Sequence, residues 1–392
     1  MLNLISLLPP YRVAIVGGGQ LGKMMTVPAK QFGFYVTVLD PTPRSPASQI
    51  ADHQIVADFN DGEAICSLAT AADVIIYEFE HIDVKALLAL EEQGCLLFPS
   101  AKILAVIQDK LQQKRAMAEA GIPLPPFQEV FRIDQVRKAA QVFGYPLMLK
   151  ARSGGYDGKG NFLAANEHAC AEGLNELGGT GIMAEQFISF SCEVSMVVAR
   201  GRYGEIKTFP LSENEHEDSI LRRSIVPARV PHEVSRRAQE VAEAVISLFS
   251  GVGVFCVEMF VTKSGDVLVN EVAPRPHNSG HYTIEACVTS QFEQHIRATC
   301  GLPLGDTTQH SPAVMVNLLG EKGYEGPAVL EGCAKGLALP GVHLHFYGKH
   351  KTVPKRKMGH FTVTADSLDD ALAIATEAEQ YLKVISQKEG ER

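Results

Sequence analysis

The 392-residue chain carries a formal net charge of −9, with 46% hydrophobic and 21% charged residues. That length calls for two to four compact units, and the acidic balance argues against a nucleic-acid surface. No apolar run approaches the length that spans a bilayer, so neither nucleic acid nor membrane is an expected partner.

The opening MLNLISLLPP is apolar but lacks a basic start and a small-residue cleavage site, so it reads as a leader strand or loose terminus, not a signal peptide. Eight scattered cysteines without a CxxC pair then read as reduced, mostly buried thiols in a cytoplasmic protein with no zinc site. Arg12 to Val16, Tyr35 to Leu39 and Asp73 to Tyr77 are apolar strands separated by helices from about Gln20, over 61–71 and over 83–92. Such alternation predicts βαβ units on a parallel sheet. Between the first strand and helix, Gly17-Gly18-Gly19-Gln20-Leu21-Gly22 fits GxGxxG, and Asp40 ends the next strand where a ribose-binding carboxylate would sit. The physics is less specific than the cofactor: glycines admit an anion to a helix N-terminus, and any phosphorylated ligand suits it. A purely structural tight turn stands as the alternative.

Asp109 to Ala120 reads as a helix, stopped by Gly121 and the following prolines. Leu147 to Lys150 is a strand running into Gly154-Gly155-Tyr156-Asp157-Gly158-Lys159-Gly160-Asn161. Four glycines in seven positions make a lid whose backbone N–H groups can wrap phosphates, with Lys150 and Lys159 offsetting charge during phosphoryl transfer. A β-hairpin with a loose tip is the plainer alternative. The loop lacks GxxxxGK[ST], which excludes a P-loop enzyme.

From 191 the strands lengthen in antiparallel fashion, with a helix near 231–248. Val254 to Val261 and Val267 to Val272 form a hairpin. A turn centred on Ser264-Gly265 sets Glu258 opposite Glu271. Opposed carboxylates cost stability unless a divalent cation lies between them, and oxygen ligands of this kind suit Mg²⁺ on nucleotide phosphates. Strict alternation turns Asn270 to the other face. Arg275 and His277, in the proline-fixed segment that follows, are placed to hold a small anion, with a surface turn as the alternative. Strands near 312–319 and 342–347 and a terminal helix from Asp366 to Ile385 complete the chain.

The order Lys150, GGYDGKG, Glu185-Gln186-Phe187-Ile188, Glu193 and the Glu258/Asn270-Glu271 hairpin resembles ATP-grasp enzymes. Within them, GGGQLG, DPTPRSPA, YEFEH, GGYDGKG and NEVAPRPHNSGH are similar to the N5-carboxyaminoimidazole ribonucleotide synthase family over about residues 11–385. The resemblance implies an α/β and α+β chain with a Rossmann-like parallel-sheet domain over 1–110. An ATP-grasp lid over 111–190, a catalytic part over 191–310 and a small antiparallel C-terminal part over 311–392 would follow.

The implied reaction carboxylates aminoimidazole ribonucleotide with ATP and bicarbonate, using Mg²⁺ or Mn²⁺. Lys110 and Lys150 would contact ATP phosphates beneath Gly155 to Asn161, and Glu185 to Ile188 would meet adenine. Glu193 would bind ribose with His216 nearby, and Glu258, Glu271 and Asn270 would bind the metal. Arg275, His277 and Asn278 would hold bicarbonate. Gln20, Leu21, Glu78, Tyr156 and Asp157 would meet the acceptor, its phosphate reaching Lys349 and Arg356; Asp157 or released phosphate would be the base. A homodimer is expected. His81, Ala151, Ser153 and Asn161 depart from the residues frequent in the family. A formate-using glycinamide ribonucleotide transformylase, an NAD-dependent oxidoreductase and a non-catalytic nucleotide sensor are the rival readings.

Overall fold

The computed structural model describes residues 11–155, 160–178 and 181–387. The N-terminal strands β1 (Arg12–Val16), β2 (Tyr35–Leu39), β3 (His53–Ile55), β4 (Val74–Tyr77) and β5 (Leu97–Phe98) form a parallel sheet in the order β3-β2-β1-β4-β5. β-Branched residues dominate β1 and β4, and both faces are covered, as a parallel sheet requires. The helices Gly62–Ala71, Val84–Glu92 and Ala101–Gln108 pack on one face. Gln20–Gln31 packs on the other, joined there by Phe292 and Ile296 of the distant helix Gln291–Cys300. Strand order reverses between β1 and β4, so the ends of these two strands open a crevice at the topological switch point.

The strands β6 (Phe127–Val130), β7 (Leu147–Ala151), β8 (Asn161–Ala164) and β9 (Ile182–Gln186) form a small antiparallel sheet ordered β6-β9-β7-β8. Leu147, Leu149, Ile182 and Ala184 bury against the helices Ile133–Phe143 and Glu167–Glu176. Period-2 alternation therefore turns Met148, Lys150 and Glu185 to the opposite face.

A nine-stranded sheet makes the centre of the molecule. Its members are β10 (Phe190–Arg200), β11 (Ile206–Thr208), β12 (Ser212–Glu217), β13 (Ile220–Val226), β14 (Gly253–Thr262), β15 (Val267–Ala273) and β16 (Ala313–Leu319). Beyond β17 (Gly326–Glu331), it takes in β18 (Val342–Phe346) and, after β19 (Lys351–Thr352), β20 (Lys357–Thr364). The order is β15-β14-β10-β12-β13-β16-β20-β18, with β11 on β10. The C-terminal strands thus extend the central sheet across residue 310. The helix His232–Phe249 buries its apolar stripe against β10, β14 and β15.

The expected terminal helix stops at Tyr381, and Lys383–Ser386 is instead a strand, β21, paired with β17. Burial explains the correction. Val384 and Ser386 are buried while Lys383 and Ile385 are not, the alternation of a strand.

Candidate active site

A cavity of about 720 Å³ lies where the N-terminal, small and central sheets meet. From the N-terminal sheet it takes Gln20, Leu21, Glu78 and Glu80; from the small sheet, Lys150 and Glu185; from the central sheet, Glu193, Glu258, Asn270 and Glu271.

The first glycine turn is already filled by protein. Glu78, at the end of β4, accepts from Gly19 N at 2.5 Å and from Gly22 N, occupying the anion seat at the helix N-terminus. Asp40 accepts from Gly18 N and Thr42 N, both at 2.8 Å, and is spent on the turn itself. The glycines answer this closeness: a Cβ at Gly22 would lie 2.4 Å from Gly17 O, and one at Gly19 2.6 Å from the Glu78 carboxylate. Burial raises the Glu78 pKa, while the two amide bonds and the charge of Lys349 pull it back.

On the opposite wall the hairpin pairs Glu258 with Glu271, as the turn arithmetic expects, but by a different route. The turn is tighter than expected, so Met259 pairs with Val269, and a bulge at Asn270 restores the register at Glu258. The bulge also corrects the expectation that Asn270 faces away, since the extra residue lets both it and Glu271 turn to the cavity. Lys110 Nζ donates to Glu271 Oε2 at 2.9 Å, and Lys150 Nζ to Asn270 Oδ1 at 3.0 Å. Glu258 faces His277 Nε2 at 3.0 Å. Burial opposes both charges of that pair. Yet His277, His216 and Lys110 hold Glu258 down at about 2, and Cys256 and Glu258 lift His277 to about 10.

Glu185 is a partial departure. Its side chain does not face an empty adenine slot; it is 2% exposed and ion-paired to Lys114 and Lys150. Gln186, Phe187 and Ile188 do line the cavity, where Gln186 N is anchored on Pro126 O at 2.9 Å. Glu193 on β10 pairs with His216 Nδ1 on β12. Of the lid, Gly155 and Asn161 line the cavity, and Gly160, at φ +86°, closes the β7–β8 hairpin through its carbonyl on Ala151 N at 2.8 Å. Tyr156, Asp157, Gly158 and Lys159 lie outside the described residues.

Arg275 pairs with Glu80 Oε1 at 2.8 Å, and Asn278 is locked in a reciprocal amide pair with Asn317 at 2.8 and 3.0 Å. Lys349 donates to Lys357 O at 2.8 Å behind the wall, and it is Lys357 that lines the cavity. Arg356 is not brought in: it is exposed and donates to Lys351 O at 2.9 Å. Sequence reasoning missed Glu80, Lys114 and Asn317, and chose Arg356 where its neighbour Lys357 lines the cavity. The first two had signals, Glu80 within YEFEH and Lys114 one helical turn beyond Lys110.

The wall therefore sets Lys110, Lys150, Arg275, His277 and Lys357 among six carboxylates of Glu78, Glu80, Glu185, Glu193, Glu258 and Glu271. Glu258 and Glu271, hard oxygen donors side by side with Asn270, are the chemistry a Mg²⁺ ion takes, so the donor set fits that ion. The cationic groups around them fit a polyanion.

Models of known families match in three consecutive stretches: a ribonucleotide synthetase preATP-grasp domain over 11–108, an ATP-grasp domain over 115–292, and a phosphoribosylaminoimidazole carboxylase C-terminal domain over 313–374. The N5-carboxyaminoimidazole ribonucleotide synthase of Bacillus subtilis is 44% identical over 365 residues, which is 92% of this chain and 93% of that one. The crystal structure of the synthetase from Thermotoga maritima superposes with a TM-score of 0.88 at 49% identity, covering 96% of this chain and all (100%) of that one. The synthase from Aspergillus clavatus, solved with ADP and 5-aminoimidazole ribonucleotide, gives a TM-score of 0.88 at 33% identity over 94% of this chain and 98% of that one.

Proposed function

The chain belongs to the N5-carboxyaminoimidazole ribonucleotide synthase family of ATP-grasp enzymes, and we propose that its cavity binds ATP along the small sheet and the hairpin, with the acceptor at the N-terminal crevice. It is an ATP-dependent carbon–nitrogen ligase that carboxylates 5-aminoimidazole ribonucleotide in purine biosynthesis. What carries the assignment of sites is the pairing of Glu258 with Glu271 beside Lys110 and Lys150, on a cavity whose far side is Glu78.

In this reading Gln186 to Ile188 and the Glu185 backbone hold adenine, Glu193 and His216 hold ribose, and Lys110 and Lys150 hold phosphates. Glu258, Glu271 and Asn270 would bind Mg²⁺, which supplies charge neutralisation on the phosphates when bound. Arg275 and His277 hold bicarbonate as an anion, while Asn278 acts through its fixed pair with Asn317. A bicarbonate oxygen attacks the γ-phosphorus and the bond to the β-phosphate oxygen breaks, giving carboxyphosphate and ADP. Carboxyphosphate splits to CO₂ and phosphate within the closed site. The exocyclic amine of the acceptor then forms the new C–N bond and loses a proton, for which Asp157 and the released phosphate are the proposed bases. Gln20, Leu21 and Glu78 contact the acceptor, together with Tyr156; Lys349 and Arg356 are proposed for its phosphate, Arg356 only after a side-chain swing.

The test is ADP release by the purified chain. Release that needs both bicarbonate and aminoimidazole ribonucleotide is expected, and release driven instead by formate and glycinamide ribonucleotide would overturn the reading. A cytoplasmic homodimer is part of the proposal, its dimeric state checked by sedimentation.

A further inference from the structure

We propose that Lys114 is a positioning residue for ATP: by occupying one oxygen of Glu185, it keeps Lys150 available to the nucleotide's phosphates. This rests on the assignment of the phosphates to Lys150.

Lys114 takes no part in the cavity wall; its side chain is 2% exposed, one helical turn behind Lys110 on the helix Lys110–Glu119. Its Nζ lies 2.5 Å from Glu185 Oε2, while Lys150 Nζ lies 2.7 Å from the other oxygen, Oε1. One buried carboxylate is thus shared between two lysines, and the cluster keeps one net positive charge. Lys114 is sealed, so the surplus is presented to the cavity by Lys150.

A one-to-one pair of Lys150 with Glu185 would be neutral and would draw the ammonium onto the carboxylate, away from an incoming phosphate. A buried lysine is also costly, because burial works against its charge and pulls Lys114 down to about 8. An apolar side chain of similar volume would often be as stable or more so. The second lysine therefore contributes through field and position on Lys150 more than through stability.

The decisive measurement is direct binding of an ATP analogue, with no acceptor or bicarbonate present, to the wild type and to Lys114→Met, Lys114→Arg and the pair Lys114→Met/Glu185→Gln. Lys114→Met is expected to weaken ATP binding by about tenfold, the order of coupling within one charged network. Lys114→Arg should restore it to within about threefold, and so should the double variant, since removing Glu185 frees Lys150 again. In turnover assays the loss should appear in KM for ATP, with KM for the acceptor unchanged. Unchanged ATP binding in Lys114→Met would overturn the proposal, as would equal weakening of both substrates with a lowered Tm. Should Lys114→Met not fold, the double variant decides: near-wild-type ATP affinity supports the proposal and lost affinity overturns it. Because binding is read without the acceptor, failure of the carboxylation assay on the wild type is a separate result.

Discussion

Glu258 and Glu271 face each other with a protein cation on each, His277 at 3.0 Å and Lys110 at 2.9 Å, and this determines what a substitution does. Removing Glu271 leaves Lys110 without its partner and takes one of two opposed oxygen donors from the proposed Mg²⁺ site. Glu271→Ala is expected to cut ADP formation at least about 100-fold, the size of loss seen when a group aimed at developing charge is deleted. Tm should change little, since Glu271 is partly exposed. Turnover retained at ordinary Mg²⁺ would refute the assignment. Both acids were readable from turn counting, even though the count missed the turn by one position and the bulge made good the difference. Glu185 was harder. Its place beside Gln186-Phe187-Ile188 marks the segment, but only the three-dimensional arrangement reveals that two lysines from distant parts of the chain claim its side chain.

The hairpin that carries these acids has one side with no neighbouring strand, because β15 is an edge strand. An unpaired edge is a liability, and here the helix Lys110–Glu119 covers it with one amide. Gln113 Nε2 donates to Val272 O and Gln113 Oε1 accepts from Val272 N, both at 3.1 Å, so the side chain imitates a neighbouring strand. Val269 N finds Pro123 O at 2.9 Å farther along. Gln113→Met keeps the volume and removes both bonds. It should cost about 1–3 kcal/mol, the penalty of stranding a buried backbone group, read as a lowered urea midpoint. Turnover should fall with it, because Glu271 adjoins the freed residue; an unchanged midpoint would show that the amide is not holding the strand. The strands themselves were plain in the sequence, as apolar β-branched runs between glycines and prolines. This clamp was not, because a glutamine in a helix looks like a solvated side chain until its partner strand is in place. The same limit carried the expected last helix over residues 383–385, whose strand character depends on the distant β17.

Three sheets built from separate stretches share one cavity, and local patterns do not reveal how such pieces join. The joint between the N-terminal and central sheets is the helix Gln291–Cys300, which sends Phe292 and Ile296 into the first sheet's core and Ala298 into the second's. His295 on this helix accepts from Val254 N at 3.0 Å, tying the joint to β14, the strand of Glu258. Burial drives the His295 pKa down to about 3, from an ordinary 6.5. Burial likewise lowers His281 and His360, helped at His281 by the positive groups His277, Lys357 and Arg275 and at His360 by competition with its neighbouring histidines. All three are neutral in the fold and charge on unfolding at mildly acid pH. The unfolded chain therefore binds more protons below about pH 6.5, and stability falls as pH drops from there toward about 3. Each histidine contributes at most about 1.4 kcal/mol per pH unit in that window. Comparison of urea midpoints at about pH 7.5 and pH 5 should show the wild type losing more stability than His295→Gln, by about 2 kcal/mol. Glutamine can still accept from Val254 N but has no proton to gain. An equal loss in the two proteins would mean that His295 is charged in the fold, and that acid does not act on the joint between the sheets through this residue.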